Sequence, residues 1–298
     1  MLNDRKRQAG GNICLPAEKN NRDGMIGAIE AMRSKVKEEA PLIHCITNPI
    51  SIHDCANVVL AAGGRPMMAE HPAEVAEITA TAGALALNLG NITDARRDSI
   101  LIAEKTAMAE GIPVILDMVG IGCSEFRRTL LMKFLEQKVP GSPLILKGNM
   151  SELKALAGEE GCVSGVDANP KDMLSEKNQA EAVRLARRVA QKYGAVVLAS
   201  GKTDLVTDGE RAFLVDNGSE MMGRITGTGC MLNVLTGTYL SAGEPLLAAA
   251  AACVVLGISG ELGAENCQGT GSFQVMFQDA LFSMDKNDIC QRIRLREV

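Results

Sequence analysis

The residues most suggestive of chemistry form a glycine turn, Thr-Gly-Thr-Gly-Cys at positions 226–230, directly ahead of an apolar segment. Gly227 and Gly229 let the backbone turn and approach a ligand without a Cβ clash. The segment after them is predicted to be a helix, whose first N–H groups and positive dipole end bind anions. The turn therefore predicts a pocket for a phosphate whose charge develops during transfer. The competing interpretation is an ordinary helix start with Thr228 as N-cap.

Two further polar residues end predicted strands. Asp117 follows the apolar run 113–116 and precedes a Gly-x-Gly turn. A carboxylate at that point either holds a cation near phosphates or only starts the turn. Ser200 ends another apolar run, and its hydroxyl either binds a nucleotide phosphate or caps a turn.

The segment Leu-Lys-Gly-Asn-Met-Ser-Glu, residues 146–152, is where a further strand passes into a helix. Lys147 is suited to meet phosphates as a point charge. Glu152 is suited to reach a magnesium ion, largely through waters, because Mg²⁺ keeps much of its hydration. Asn149 followed three residues later by Glu152 is equally the pattern of a capping box, which is a structural feature.

Composition restricts the class of protein. The chain has 298 residues, 46% of them hydrophobic, and a formal net charge of -5. Sequence-independent nucleic-acid binding needs a concentrated basic surface, so a nucleic-acid partner is not expected. Its 9 cysteines lack Cys-x-x-Cys spacing, which favours reduced thiols in a cytoplasmic protein over a disulfide framework or a zinc site. The longest apolar run, 246–258, is too short to span a bilayer and predicts a buried helix, so no membrane partner is expected.

The elements that must position these residues alternate between strand and helix from Met25 onward. Near-continuous apolar strands with amphipathic helices between them predict a mostly parallel sheet covered by helices on both faces. Ligands gather at the carboxyl ends of such strands. Residues 1–24 are polar and are expected to be an N-terminal extension, and residues 25–298 are expected to form a single domain. The strand predictions are 41–46, 65–68, 84–89, 113–117, 143–147 and 195–200, with a hairpin of 205–207 and 212–215.

In order and spacing, a set of short motifs resembles hydroxyethylthiazole kinase, a thiamin-salvage branch of the ribokinase-like superfamily. The resemblance runs from about Met25 to the end of the chain. Its landmarks are Pro-Leu-Ile-His-Cys-Ile-Thr-Asn at 41–48, Pro-Met-Met-Ala at 66–69, Asn-Leu-Gly at 88–90, Leu-Asp-Met-Val-Gly-Ile-Gly at 116–122, Lys-Gly-Asn-Met-Ser-Glu at 147–152, Thr-Gly-Thr-Gly-Cys at 226–230 and Gly-Ser-Phe at 271–273.

This resemblance implies a three-layer ribokinase-like fold and an ATP-dependent kinase for the hydroxyl of 4-methyl-5-(2-hydroxyethyl)thiazole. It also implies a homotrimer with substrate sites between subunits. By resemblance, the substrate-binding residues are Met68, Gly227 and Asn48, the ATP-binding residues are Lys147 and Ser200, the residues that serve Mg²⁺ are Asp117 and Glu152, and the catalytic turn is Gly227, Thr228, Gly229 and Cys230.

Several positions depart from the family pattern without removing a charge that phosphoryl transfer needs. Cys45 and Asn91 stand where Asn and Thr are common, Met118 replaces a Pro, Lys147 replaces an Arg and Ser200 replaces a Thr. Lys keeps the positive charge of Arg but loses its bidentate geometry. Because Cys45 is expected near the substrate pocket, the exact substrate preference stays open.

Cys230 takes the place where most ribokinase-like enzymes carry an aspartate base. A thiol has a pKa of about 8.5 that falls at a helix N-terminus, so a thiolate is plausible. Phosphoryl transfer through a loose transition state needs little from a base. The resulting hypothesis gives Mg²⁺, Lys147 and the amides of 227–229 the main role, while Cys230 orients or deprotonates the hydroxyl. The alternatives are a kinase for another small alcohol, such as a hydroxymethylpyrimidine, and a catalytically silent protein that binds thiazole or nucleotide.

Overall fold

The computed structural model describes residues 22–159, 178–265 and 267–298. Helix α1 begins at Arg22, ahead of the expected domain start at Met25. The rest of the predicted N-terminal extension, residues 1–21, lies outside the described residues.

The predicted alternation of strands and helices is confirmed, with bounds that differ by a residue or two from the predicted ones. The strands are β1 Leu42–Ile46, β2 Arg65–Met67, β3 Ala84–Asn88, β4 Val114–Asp117, β5 Leu144–Asn149, β6 Val196–Ser200, β7 Asp204–Thr207, β8 Ala212–Val215 and β9 Leu295–Glu297. The helices are α1 Arg22–Glu39, α2 Ile52–Ala62, α3 Val75–Thr81, α4 Asp94–Glu110, α5 Glu125–Gln137, α6 Met150–Ala157, α7 Gln179–Tyr193, α8 Thr228–Leu240, α9 Pro245–Glu265, α10 Thr270–Ser283 and α11 Lys286–Arg292, with a 3₁₀ helix at Glu220–Arg224.

Side-chain caps fix where several of these helices begin. Thr93 accepts a hydrogen bond from the Arg96 N–H at the start of α4, and Ser124 does the same for the Arg127 N–H at the start of α5. Each cap satisfies an N–H that has no partner within its own helix. These helix starts are therefore set by local sequence.

The nine strands form one sheet in the order β2-β1-β3-β4-β5-β6-β7-β8-β9. From β2 to β6 every neighbouring pair is parallel, so the carboxyl ends of these strands meet at one edge. The last three strands are added antiparallel. Two antiparallel steps return β8 to the direction of β6, so its carboxyl end lies at the same edge.

Two apolar cores cover the two faces of the sheet. Alternate residues of β3 separate them: Ala84 and Ala86 face the core shared with α8 and α9, whereas Leu85 and Leu87 face the core shared with α4 and α7. This double burial explains the continuous apolar strands. The mostly parallel three-layer α/β architecture is thereby confirmed.

Helix α9 contains the long apolar run noted in the sequence. It is long and apolar enough to cross a membrane, but 89% of its most apolar window is buried inside the protein. Ala248 to Ala252 are fully buried against the sheet and neighbouring helices. The predicted buried helix is confirmed, and it extends beyond the predicted run at both ends.

Candidate active site

Three polar residues lie side by side at the carboxyl edge of the sheet. The parallel register pairs Asn88 of β3 with Asp117 of β4, and Asp117 with Lys147 of β5. Each is the last or nearly the last residue of a strand whose preceding residues are buried. The sheet register alone therefore brings a carboxylate between an amide and an ammonium group.

Lys147 and Asp117 form a buried ion pair. Lys147 Nζ donates to Asp117 Oδ2 at 2.8 Å, and each residue is only 3% exposed. Burial lowers the pKa of Lys147, but Asp117 raises it by more, helped by Cys230 and Glu152, so the net direction is upward. Lys147 therefore stays an ammonium at neutral pH, and Asp117 is its counter-ion.

Glu152 lies in the first turn of α6 with both carboxylate oxygens engaged. Oε2 accepts from the Asn149 N–H at 2.7 Å and Oε1 accepts from the Gly120 N–H at 2.7 Å. The Asn149 side chain in turn accepts from the Glu152 N–H, so the capping box is present. Burial, followed by the nearby charge of Asp117, raises the pKa of Glu152 to about 7. The capping box holds the Glu152 carboxylate at the edge of the site. Each of its oxygens still has a lone pair that could bind a cation.

The glycine turn has the backbone shape that only glycine adopts easily. Gly227 is the N-cap of α8 at φ +84°, and a Cβ on it would lie 2.6 Å from the Cβ of Ser51. The interpretation of Thr228 as N-cap is wrong, because Thr228 is the first helical residue and its hydroxyl donates to the Met222 carbonyl. A glycine N-cap brings no side-chain acceptor, so the first N–H groups of α8 remain suited to an anionic ligand.

The start of α8 meets the ion pair. A Cβ on Gly229 would lie 3.7 Å from Lys147 Nζ, which places the ammonium beside the first turn of the helix. The positive dipole end and the lysine charge therefore converge on the same space. A phosphate site at this turn stays a prediction, and this convergence of positive charge supports it.

Cys230 joins the site through Asn88, whose amide donates to Cys230 Sγ at 3.4 Å and to Asp117 Oδ2 at 3.3 Å. Burial, followed by the negative charge of Asp117, raises the pKa of Cys230, although hydrogen bonds with Ser51 and Asn88 and the charge of Lys147 oppose this. The expected lowering at a helix N-terminus is therefore wrong. Desolvation and a neighbouring carboxylate favour the protonated thiol.

A cleft of about 910 Å³ runs along the sheet edge from this site, and its lining includes Thr228, Gly229, Ser200 and Asp204. Ser200 ends β6, and its hydroxyl lies 3.4 Å from the Gly148 carbonyl. Asp204 accepts from the Gly201 N–H at 2.9 Å, and burial raises its pKa to about 6. The cleft is large enough for a small-molecule ligand such as a nucleotide.

The predicted substrate residue Asn48 lies in a second polar group. Its side-chain oxygen accepts from the Asn91 amide at 2.9 Å. Asn91 adopts φ +47°, a left-handed conformation that asparagine tolerates and a β-branched threonine does not. The departure at Asn91 therefore fits the local backbone.

Arg96 is a site residue that the sequence reasoning missed. It is 1% exposed, and its guanidinium donates to the carbonyls of Asn88, Gly90 and Asn91. It thereby fixes the loop that carries Asn88 and Asn91. Nothing in an amphipathic helix pattern distinguishes this arginine from a surface one, because its role depends on the loop folding over it.

The two remaining residues that the sequence linked to the substrate, Met68 and Cys45, lie in or against the apolar core. Met68 follows β2, is partly buried, and packs against the same core as Cys230. Cys45 is 1% exposed in that core, and its thiol lies 3.6 Å from the Ile43 carbonyl. Cys45 is therefore a core residue. The presence of Cys in place of the family's common Asn affects core packing more directly than contact with the substrate.

The acidic residues fit a magnesium ion bound largely by water and phosphate. In the part of the chain that the structure describes, no group of three or more His, Cys, Asp or Glu side chains could hold a metal alone. Asp117 and Glu152 are both buried, and the charge of Asp117 adds to the effect of burial in raising the pKa of Glu152. A divalent cation would relieve the repulsion between the two carboxylates, and Mg²⁺ needs only one or two protein carboxylates.

Comparisons with known proteins show which family this chain resembles. The hydroxyethylthiazole kinase family matches residues 33–287. "Hydroxyethylthiazole kinase 2" of Clostridium botulinum is 44% identical over 264 residues, covering 89% of this chain and 98% of that protein. "Hydroxyethylthiazole kinase" of Methanocella arvoryzae is 40% identical over 270 residues, covering 90% of this chain and 98% of that protein.

Solved structures support the same assignment. The hydroxyethylthiazole kinase protein from Pyrococcus horikoshii superposes with a TM-score of 0.81 at 36% identity, covering 91% of this chain and 98% of that one. Pyridoxal kinase from Staphylococcus aureus superposes at 13% identity with a TM-score of 0.55, covering 86% of this chain and 97% of that one, which shows a shared ribokinase-like fold alone. This chain belongs to the hydroxyethylthiazole kinase family.

Proposed function

We propose that this chain transfers the γ-phosphoryl group of ATP to the hydroxyl of 4-methyl-5-(2-hydroxyethyl)thiazole at the carboxyl edge of its sheet. The observation that carries the proposal is the position of Lys147 Nζ. It is salt-bridged to Asp117 at 2.8 Å and lies beside Gly229 at the first turn of α8. A fixed ammonium and a helix N-terminus aimed at one point stabilise the charge of a phosphoryl group in transfer.

Most of the catalysis in this proposal is positioning and charge stabilisation. The first N–H groups of α8 hold the transferring phosphoryl oxygens, and Lys147 balances their charge. Asp117 keeps Lys147 in place, because an ammonium buried without a partner would be strongly destabilising. Ser200 contacts the remaining phosphates from the cleft wall, which it lines.

Asp117 and Glu152 are the residues that would hold Mg²⁺. A bound Mg²⁺ would supply positive charge that neutralises the phosphates of ATP. Glu152 is held in place by the Gly120 and Asn149 N–H groups. Its carboxylate is therefore preorganised for a cation, directly or through water.

Cys230 orients the acceptor hydroxyl in this proposal and does not remove its proton. Its pKa is raised, so the thiol is protonated and acts as a weak hydrogen-bond partner fixed by Asn88. A loose transition state develops little charge on the attacking oxygen, so the hydroxyl proton can leave late, to an oxygen of the transferred phosphoryl group. Of the two roles that the sequence suggested for Cys230, orienting the hydroxyl or deprotonating it, we propose only the first.

We infer that the thiazole lies near Gly227, Asn48 and Met68, in a homotrimer whose subunits share each site. Ile50 and Met67 support this, because they flank Asn48 and Met68 and expose 64% and 39% of their surfaces. Apolar side chains beside a polar site are typical of a surface covered by a partner. Measurement of the mass in solution tests the trimer, and a monomeric active enzyme would contradict it. A cytoplasmic location is supported by the free state of all seven cysteines that the structure describes.

An ADP-release assay coupled to NADH oxidation tests the proposed reaction. The acceptors are the thiazole alcohol, hydroxymethylpyrimidine and buffer, each with Mg²⁺ and ATP. We expect turnover with the thiazole alcohol well above that with the other two. Turnover with the pyrimidine alcohol alone would show that the protein is a hydroxymethylpyrimidine kinase instead. Thermal stabilisation by the thiazole alcohol without ADP formation would identify a catalytically silent binding protein.

A further inference from the structure

Glu261 of α9 lies behind three residues that line the cleft and accepts a hydrogen bond from each of them on one carboxylate oxygen. Oε1 accepts from Asn217 Nδ2 at 3.0 Å, from the Gly218 N–H at 2.9 Å and from the Arg294 guanidinium at 2.6 Å. The Glu261 side chain is only 13% exposed. The Arg294 side chain is 49% exposed, so the pair is shielded on the carboxylate side only, and its hydrogen bonds are strengthened by charge.

Arg294 connects this carboxylate to the C-terminal segment. Its guanidinium also donates to the Asp216 carbonyl at 2.8 Å, and its backbone N–H donates to Asn217 Oδ1 at 2.8 Å. The Asn217 amide returns a bond to the Arg292 carbonyl at 2.8 Å. The loop after β8 and the segment before β9 are therefore one hydrogen-bonded unit.

This unit forms one wall of the cleft, which Asp216, Asn217, Gly218 and Arg294 all line. On the other side of the loop, α9 approaches at Gly257, where a Cβ would lie 2.6 Å from the Cβ of Asn217. The loop is thus held between α9 and the C-terminal segment. Glu261 and Arg294 make polar contacts with it from both sides, and the Thr203 hydroxyl adds a hydrogen bond to Asp216 Oδ1 at 2.6 Å.

The sheet order shows which part of a nucleotide reaches this wall. Lys147 is on β5, and the loop follows β8, with β6 and β7 between them. Three strand spacings make about 14 Å. β8 ends at the same edge as β6, and the register pairs Val215 with Leu295 of β9, which places Arg294 there too. A nucleotide with its γ-phosphate at α8 therefore extends its ribose and base toward the loop.

We propose that Glu261 and Arg294 are positioning residues for the ribose and base of ATP, acting through the loop Asp216–Gly218. This inference rests on the proposed function in that the cleft is taken to bind ATP. Arg294 and the strand that follows it lie beyond residues 33–287, the part that the family match covers.

Steady-state kinetics of Glu261→Gln and Arg294→Met test this inference. We expect the KM for ATP to rise about tenfold in each, which corresponds to about 1.4 kcal/mol. We expect kcat and the KM for the thiazole alcohol to stay within about twofold, since the transferring groups are not touched. The double variant should be little worse than either single variant, because the two residues act as a unit.

Arg211→Met is the matched control. Arg211 pairs with Glu297 of the same C-terminal strand at 2.9 Å, but it precedes β8 and so lies at the opposite edge of the sheet. We expect it to lower the melting temperature without changing the KM for ATP. An unchanged KM for ATP in the two test variants would overturn the inference, and so would equal losses in every kinetic parameter that follow the melting temperature.

Calorimetric titration with Mg²⁺ and ATP separates this inference from the proposed function. It needs no acceptor alcohol. If the wild-type protein binds ATP but phosphorylates no thiazole, the proposed function fails, and the affinities of the variants still decide the inference. If the wild-type protein binds no ATP, both fail.

Discussion

Glu104 is a carboxyl group buried where nothing compensates a negative charge. Its replacement by glutamine is predicted to raise the free energy of unfolding relative to the wild type at alkaline pH. Glu104 lies on α4 with 0% exposure, and neither of its oxygens has a hydrogen-bond partner in the part of the chain that the structure describes. Burial raises its pKa from 4.5 to about 9. The folded protein therefore carries this residue as a neutral acid.

The direction of the pH effect follows from proton binding. Between pH 4.5 and about 9 the unfolded chain has released this proton, whereas the folded chain retains it. The free energy of unfolding therefore falls as pH rises through this window, by about 1.4 kcal/mol per pH unit, and levels off above the folded pKa. Over three pH units, from about 5.5 to about 8.5, this amounts to about 4 kcal/mol.

Glu104→Gln removes the titration and keeps the shape of the side chain. The free energy of unfolding of the variant, minus that of the wild type, should become more positive by about 4 kcal/mol over that pH range. Urea titrations at the two pH values measure the difference, and Glu110→Gln, an exposed position at the end of the same helix, is the matched control. A difference that is the same at both pH values would refute the assignment of Glu104 as a neutral buried acid.

Three further predictions concern the site. Glu152→Gln should lower kcat/KM by about a hundredfold or more and weaken the dependence on Mg²⁺, whereas Cys230→Ala should cost about tenfold or less; abolished turnover in the cysteine variant with thiazole binding intact would contradict its orienting role. Gly227→Ala should destabilise the protein and impair turnover, because the added Cβ would lie 2.6 Å from the Cβ of Ser51 and the backbone is left-handed. Adding Ser51→Gly to this variant should recover only the part of the lost stability that is due to the contact with Ser51, and thermal melting measures that recovery. Asp117→Asn should cost about 3–5 kcal/mol in urea unfolding, because it leaves the buried ammonium unpaired; a loss of under about 1 kcal/mol would show that water reaches the pair.

The parts of the fold that sequence predicted are those decided by local pattern. Buried parallel strands read as continuous apolar runs, so the strands of the parallel part were found with small errors at their ends. Strand β9 was missed because Leu295–Glu297 is a short edge strand whose pairing with Phe213–Val215 is a long-range contact. A Leu-Arg-Glu triplet after a helical stretch carries no such signal.

The candidate site was predictable to the same extent. Asp117 and Lys147 lie near strand ends, and Glu152 lies in the first turn of the helix that follows β5, so topology alone places them at one edge. The bridging role of Asn88, the loop held by Arg96 and the network at Glu261 depend on residues far apart in sequence, and no local pattern announces them. Each of these residues acts through a neighbour that only the folded chain supplies.

The glycine turn shows why local rules fail most often at a functional site. A cysteine in the first turn of a helix has a lowered pKa when water or cations surround it. Here the Cys230 thiol is largely buried and lies near the negative charge of Asp117, so its pKa rises. The negative charge that raises it also holds Lys147 against the helix start. The arrangement that fixes the ammonium therefore disfavours a thiolate, and for this reason we propose that the site works by charge stabilisation and not by base catalysis.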